Sequence, residues 1–181
     1  MDPPPARLRP FTESDLVLFD RFATDPELSE PFEWLGFSSS EPSRRRWKED
    51  RLLGSNPHCL AVEAADGGAL VGFVSWRQND RPGPGVLEIG ALILPEMRGR
   101  GVGTAAQRML VDYLFSTTTA HRIWAGTEVG NVAEQRALER CGFRQEGRLR
   151  GGHWRDGHWR DSFIYGLLRD EMPPSSTPAN D

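Results

Sequence analysis

Apolar positions along the chain change period several times, and each change marks an element. In "TESDLVLFDRF", Leu16, Phe19 and Phe22 or Ala23 recur at helical spacing behind Thr12 and Asp15, a T-x-x-D start signal. A first helix is therefore expected after a short strand at "ARLR". Prolines interrupt residues 25–57, and "SRRRWKEDRLL" predicts a second helix there. Its "RRRWK" run is followed at once by acidic residues, so it reads as a solvated helix face. Three apolar runs come next, "CLAVEA", "LVGFVSW" and "GVLEIGALIL", with the Asp-Gly hairpin signal of "ADGG" between the first two. They predict a meander. The most regular stripe follows: Val102, Ala105, Ala106, Met109, Leu110, Tyr113 and Leu114 share one face of a helix that must pack on the sheet. "RIWAGTEV" then lies parallel to "LEIGALIL", because a helical crossover joins them. Another helix begins at Asn131 and ends at Gly142, and "FRQEGRLRGGHW" and "HWRDSFIYGLL" are the closing strands.

Between those two strands the chain reads "HWRDGHWRD". A two-residue loop at Asp156-Gly157 pairs Arg155 with His158, Trp154 with Trp159 and His153 with Arg160. The tryptophans face each other in the non-hydrogen-bonded pair, where side chains approach closest. Both histidines share the other face with two arginines, and neither a Cys nor a second carboxylate completes a ligand set. The repeat predicts a hairpin and no metal site.

Composition narrows the function classes. With 181 residues, 38% hydrophobic and 27% charged, the chain suits one globular domain, expected over residues 1–172. The tail "PPSSTPAND", residues 173–181, has nothing to bury and is expected to be disordered. A formal charge of -4 gives no pull towards nucleic acid or an anionic membrane, and it favours an amine or basic partner. Cys59 and Cys141 are too few for a disulfide framework, and the start "MDPPPARLRP" lacks a signal-peptide run. A soluble cytoplasmic protein is the expectation.

The stretch "LILPEMRGRGVGTAAQ" carries the chemistry. Glycines 99, 101 and 103 let the backbone turn sharply where a strand meets a long helix, which gathers N–H groups at the positive helix end. Such a nest holds phosphate. The P-loop pattern is absent, so triphosphate chemistry of that kind is excluded. "GVGTAA" matches G-x-G-x-x-A, with Glu128 near the place of a ribose-binding acid. However, that fingerprint opens a βαβ series, whereas a meander precedes it here.

Arg98, Gly101 and Gly103 within "RGRGVG" also satisfy Q/R-x-x-G-x-G/A, and in this the chain resembles the GNAT superfamily of acyl-CoA-dependent N-acyltransferases. "LRPFTESD", "NVAEQRALERCGF" and "DGHWRDSFIYGLLRDE" extend the resemblance along almost the whole chain, closest to the RimJ/RimL-like branch. The resemblance implies an α/β (α+β) fold, a mixed, mostly antiparallel twisted sheet of about seven strands with flanking helices, splayed between the fourth and fifth. It further implies acetyl-CoA as co-substrate and no metal. The pantetheine arm would lie in the splay, with backbone at Leu92 and Ile93 holding the arm and the thioester carbonyl. The pyrophosphate would lie on Arg98, Gly99, Arg100, Gly101, Val102, Gly103 and Thr104. Asn131 would face the cofactor, cap its helix, or do both.

Where many RimJ/RimL-like sequences have a serine after that asparagine this chain has Glu134, expected to close a capping box, and another branch's tyrosine is Leu138 here. Glu88, a carboxylate in an apolar strand, is the candidate base, with an ion-paired structural role as the alternative. Glu33 and Trp34 in "PFEWLGF" are candidates for the acceptor mouth. The acceptor is a primary amine, either a protein N-terminal α-amine or a small amine, including an antibiotic or metabolite. A homodimer is left open. Two alternatives share the glycine loop: a non-catalytic acyl-CoA sensor and a Rossmann-type oxidoreductase.

Overall fold

The computed structural model describes residues 6–65, 67–78 and 85–172. Along it run β1 (Ala6–Arg9), α1 (Val17–Thr24), α2 (Pro26–Ser29), α3 (Glu41–Asp50), β2 (His58–Ala64), β3 (Leu70–Gln78), β4 (Val86–Ile93), α4 (Val102–Thr117), β5 (Arg122–Glu128), α5 (Val132–Arg140), β6 (Arg144–Arg155) and β7 (His158–Leu168). The strands form one seven-stranded sheet in the order β1-β2-β3-β4-β5-β7-β6. Every neighbouring pair is antiparallel except β4 and β5, which the α4 crossover makes parallel. This single crossover removes the Rossmann alternative, which needs a parallel series.

Strand alternation sends each strand's odd and even residues to opposite faces, and helices cover both. Val62, Val74, Ile89, Ile123 and Leu167 face α4 and α5, meeting Val102, Ala106, Leu110, Leu114 and Leu138. Cys59, Ala61 and Phe73 face the other way, towards Phe11, Leu16, Phe19 and Trp47 from α1, α3 and the turn before α1. The helical stripe is as expected except at its rim, where Tyr113 is 41% exposed and packs edge-on against Trp76.

Local chemistry sets the ends of these elements. Asp15 closes the box on Thr12, accepting at 2.7 Å from both its N–H and its hydroxyl. The first turn is nevertheless 3-10 over Glu13–Leu16, and α1 starts only at Val17. The second predicted helix begins two residues earlier than expected, with Pro42 in its first turn. It stops at Asp50, because Arg51 and Leu52 have φ of 59° and 63°, outside helical geometry. Asp66 of the "ADGG" signal and the tail lie outside the described residues. The closing hairpin has the predicted register, with Arg155 opposite His158, Trp154 opposite Trp159 and His153 opposite Arg160. Asp156 and Gly157 have φ of 52° and 73°, the two left-handed residues that a type I′ turn requires. The indoles pack edge-to-face with centroids 5.3 Å apart. Among the described residues no helix is long and apolar enough to cross a membrane.

Candidate active site

β4 and β5 pair only at Val86–Arg122, Leu87–Ile123 and Glu88–Trp124, although β4 runs on to Ile93 and β5 to Glu128. The opening of the gap is lined by small residues. On the face towards α1 and α3, the rows beyond the last pair read Gly90–Leu92 and Gly126–Glu128, so the first residue of each row has no side chain. Leu94 donates to Val71 at 2.9 Å, so by alternation Leu92 also turns its peptide groups to β3, while Ala91 and Ile93 turn theirs to the gap. Leu92 thus presents its side chain. Ala91, which no motif marked, presents backbone. A Cβ on Gly72 would lie 2.2 Å from the Leu92 carbonyl oxygen, so β3 and β4 approach too closely there for any other residue.

At the C-terminal end of β4, Gly99 and Gly101 have φ of 71° and 79° and bend the chain into α4. The N–H groups of Val102, Gly103 and Thr104 open the helix and have no intrahelical acceptor, so the loop offers donors at the positive end of a 16-residue helix. Arg98 is used differently. Its N–H donates to Pro95 O at 3.1 Å, and its guanidinium donates to three carbonyls: Ile93 at 2.9 Å, Glu30 at 2.8 Å, and Leu28. The side chain ties the end of α2 to the end of β4.

Four carboxylates surround the gap, each with its own environment. Glu88 belongs to the last β4–β5 pair, and Arg77 of β3 grips it with a fork, Nε to Oε2 at 2.9 Å and Nη2 to Oε1 at 2.5 Å. Glu128 accepts a second fork from Arg155 at 2.9 and 2.8 Å, and both side chains are nearly buried. Arg155 also lies 5.5 Å above the ring of Phe32. Glu134 forms only half of the expected capping box: its N–H donates to Asn131 Oδ1 at 3.2 Å, but Asn131 N–H donates to Glu128 O at 2.9 Å. The Glu134 carboxyl turns to α4 and accepts from buried Gln107 at 3.2 Å. Burial pushes it up to about 7; the Gln107 hydrogen bond opposes the rise and the charge of Glu33 adds to it. Glu33 is exposed at its surface yet crowded by neighbouring protein. Desolvation raises its carboxyl, against the pull of His153, with the charge of Glu128 adding to the rise and Arg98 opposing it. Sequence reasoning missed Gln107 and Arg155, a helical-stripe neighbour and a hairpin residue, because only the tertiary fold brings them to the gap.

Trp34 stacks edge-on with Phe37 at 5.3 Å and, with Leu35, Gly36, Trp154, Arg155 and Asp156, lines a shallow pocket at the mouth. Leu35, Phe37 and Trp159 nearby are 73%, 80% and 67% exposed. Among the described residues no group of three or more His, Cys, Asp or Glu is placed to hold a metal ion.

The gap, the glycine loop and the helix start fit an extended thioester ending in a pyrophosphate: slim where two glycines meet, anion-seeking at one end. The chain is similar to N-acetyltransferases of Bacillus subtilis. One, named "Putative ribosomal N-acetyltransferase YdaF", is 36% identical over 143 residues, 76% of this chain and 78% of the relative. Another, "Probable N-acetyltransferase YjcK", is 34% identical over 112 residues, 61% of this chain and 62% of the relative. In fold it is similar to the spermidine N-acetyltransferase of Vibrio cholerae solved with CoA and spermine, with a TM-score of 0.77 at 21% identity, covering 92% of this chain and 96% of that one. Residues 6–144 match the acetyltransferase (GNAT) domain, so the strand gap and the glycine loop are those of a family member: the chain belongs to the GNAT acetyltransferases.

Proposed function

We propose that the protein is an acetyl-CoA-dependent N-acetyltransferase of the RimJ/RimL-like branch, acting on a primary amine in the cytoplasm through one domain over residues 1–172. The observation that carries this reading is the β4–β5 gap opening directly onto the glycine loop at the start of α4. Acetyl-CoA supplies an acyl group on a good leaving group, because a thiol of pKa about 8.5 departs readily as thiolate. In this reading the N–H groups of residues 99–104 hold the pyrophosphate, Ala91 and Ile93 hold the arm by backbone, Leu92 packs on it, and Asn131 lines the far side of the gap while capping α5.

The amine must be neutral to attack the thioester carbonyl. We assign the proton to Glu88, directly or through one water, with Arg77 orienting the carboxylate. A new C–N bond forms, the C–S bond breaks, and the amine proton leaves through Glu88 to solvent. Glu33 and Trp34 would meet the acceptor as it enters from the α1–α3 face. The spermine-bound relative supports small amines as an acceptor class, and the name of YdaF supports protein amino termini.

A thermal-shift series with acetyl-CoA, CoA and NAD, followed by thiol release over a panel of amines and peptide amino termini, tests the reading. Stabilisation by both CoA ligands together with thiol release is expected. Stabilisation without release from any amine would identify an acyl-CoA sensor instead.

A further inference from the structure

Among the described residues three buried side-chain nitrogens lack a hydrogen-bond partner: Trp124 Nε1, His153 Nε2 and Arg160 Nε. All three lie on one face of the sheet. Trp124, Gly126 and Glu128 form one row of β5, and their β7 partners are Gly166, Ile164 and Ser162. Arg160 continues that β7 row and pairs across the hairpin with His153. This is the face of the gap that carries Glu88 and is covered by the segment around Phe32 and Glu33. Trp124 stands opposite Gly166, six residues along β7 from Arg160, whereas Arg160 and His153 are direct cross-strand partners. Folded proteins leave few buried donors unmade, so this pair points to a bound group that completes it.

The charges specify that group. Arg155 and Arg160 both bring guanidinium groups to this wall, and Glu128 feels both, yet its two oxygens accept from Arg155 alone. Glu33 is no substitute, because desolvation works against its ionised form. Arg160 is always charged, its Nε–H is an obligate donor, and a charge-assisted hydrogen bond to an oxyanion is the strongest partner it can take. His153 is the cross-strand partner of Arg160, and its Nε2 donates in the appropriate tautomer.

We propose that Arg160 and His153 form a subsite for an oxyanion carried by the acceptor, so that the amine acetylated is zwitterionic: an amino acid, or an amine bearing a phosphate. This rests on the reading of the protein as an amine N-acetyltransferase. A polyamine is disfavoured, because its second ammonium would lie against Arg155 and Arg160.

The test compares compounds of one carbon skeleton: the α-amino acid, its amide, the decarboxylated amine and the aminoalkyl phosphate, with spermidine and a peptide amino terminus alongside. Turnover is measured as thiol release, and binding to the CoA complex by calorimetry. The carboxylate or phosphate compound should exceed the decarboxylated amine in kcat/KM by at least tenfold, and the stronger of the two names the oxyanion. In Arg160→Gln that preference should collapse through KM, with kcat for the decarboxylated amine, CoA affinity and melting temperature little changed. Arg160→Lys should restore part of it. A parent enzyme that prefers spermidine, the peptide or the decarboxylated amine would overturn the subsite, as would an equal loss for all acceptors in Arg160→Gln. Oxyanion-dependent binding that Arg160→Gln abolishes, without turnover of any amine, would uphold the subsite and sink the transferase reading.

Discussion

The guanidinium of Arg98 donates to the carbonyl of Glu30 at 2.8 Å, so a residue of the glycine loop holds the backbone of the segment between α2 and α3. The bonds to Leu28 and Ile93 complete the clamp. A guanidinium committed to three carbonyls has little left for phosphate, contrary to what the loop motif alone suggests.

We therefore predict that Arg98→Ala lowers stability by about 1.5–3 kcal/mol and raises KM for the amine about tenfold, while the Kd for CoA changes less than about threefold. Calorimetry with CoA and initial rates over both substrates decide it. A tenfold weaker CoA affinity with an unchanged amine KM would return Arg98 to the phosphate.

Gly101 and Gly103 of the loop separate in a similar way. Gly101 has φ of 79°, which costs an L-residue about 1 kcal/mol, and in the proposed site its backbone approaches the pyrophosphate, so Gly101→Val should cut CoA affinity by an order of magnitude or more. A Cβ at Gly103 would meet Ile93 Cγ1 at 3.5 Å, an ordinary contact. Gly103→Ala should therefore fold and bind CoA nearly as the parent does. Equal losses in the two variants would mean that backbone conformation is not the controlling feature.

Much of this was legible before any coordinates. The meander, the α4 stripe and the hairpin register are local patterns, with periods of 2 and 3.6 and a two-residue turn, and they transfer directly from sequence to structure. The loop too is local. What the sequence withheld is long-range: which donor occupies Arg98, that Gln107 turns the Glu134 carboxyl away from its cap, and that Leu92 faces β3 while Ala91 faces the gap. Those outcomes depend on strand register and helix docking, which no window of neighbouring residues encodes. The alternative reading of Glu88 as half of an ion pair was open in the sequence, and the fork with Arg77 gives it substance.

Gly72→Ala should be the most damaging small change on this side of the sheet. Its Cβ would lie 2.2 Å from Leu92 O and 2.9 Å from Ile93 Cα, both backbone atoms that cannot step aside without moving the end of β4. A loss of several kcal/mol is expected by analogy with overpacking, at or beyond the usual range of about 1–3. Urea unfolding measures it. A variant within 0.5 kcal/mol of the parent, as an order-of-magnitude bound for a neutral site, would show that β4 is not pressed against Gly72.

Glu134 predicts a pH signature of stability. Burial raises its folded-state carboxyl to about 7, above the value in the unfolded chain, so the unfolded state releases the proton first. The stability it contributes is full below the ordinary carboxylate range and is lost as pH rises towards about 7, at no more than about 1.4 kcal/mol per pH unit. Glu134→Gln keeps the shape and should flatten stability between pH 5 and 7 by about that slope. Denaturant midpoints at several pH values check this. Parallel curves for parent and variant would mean that the carboxyl is hydrated in the folded state.

Glu88 yields the prediction closest to the chemistry. Glu88 belongs to the last β4–β5 pair, on the face proposed for the amine, and Arg77 grips its carboxylate. If it takes the amine proton, Glu88→Gln should lower kcat/KM by about 10² to 10⁴ for a strongly basic amine. The loss should be smaller for an α-amine near pKa 7.7–8.0, which is already partly neutral at the working pH. Raising the pH should recover part of the variant's rate as neutral amine accumulates, and CoA affinity should hold if, as proposed, backbone and loop bind it. Arg77→Gln separates orientation from proton transfer: it should lower kcat without the dependence on amine pKa, since the acceptor of the proton remains. The measurement is a pH series of kcat/KM for parent and both variants with two amines of different pKa. A parallel offset in Glu88→Gln at every pH and for both amines would leave Glu88 as half of a structural ion pair with Arg77 and return the proton to another group of the cleft, with Glu33 the first to be replaced by glutamine.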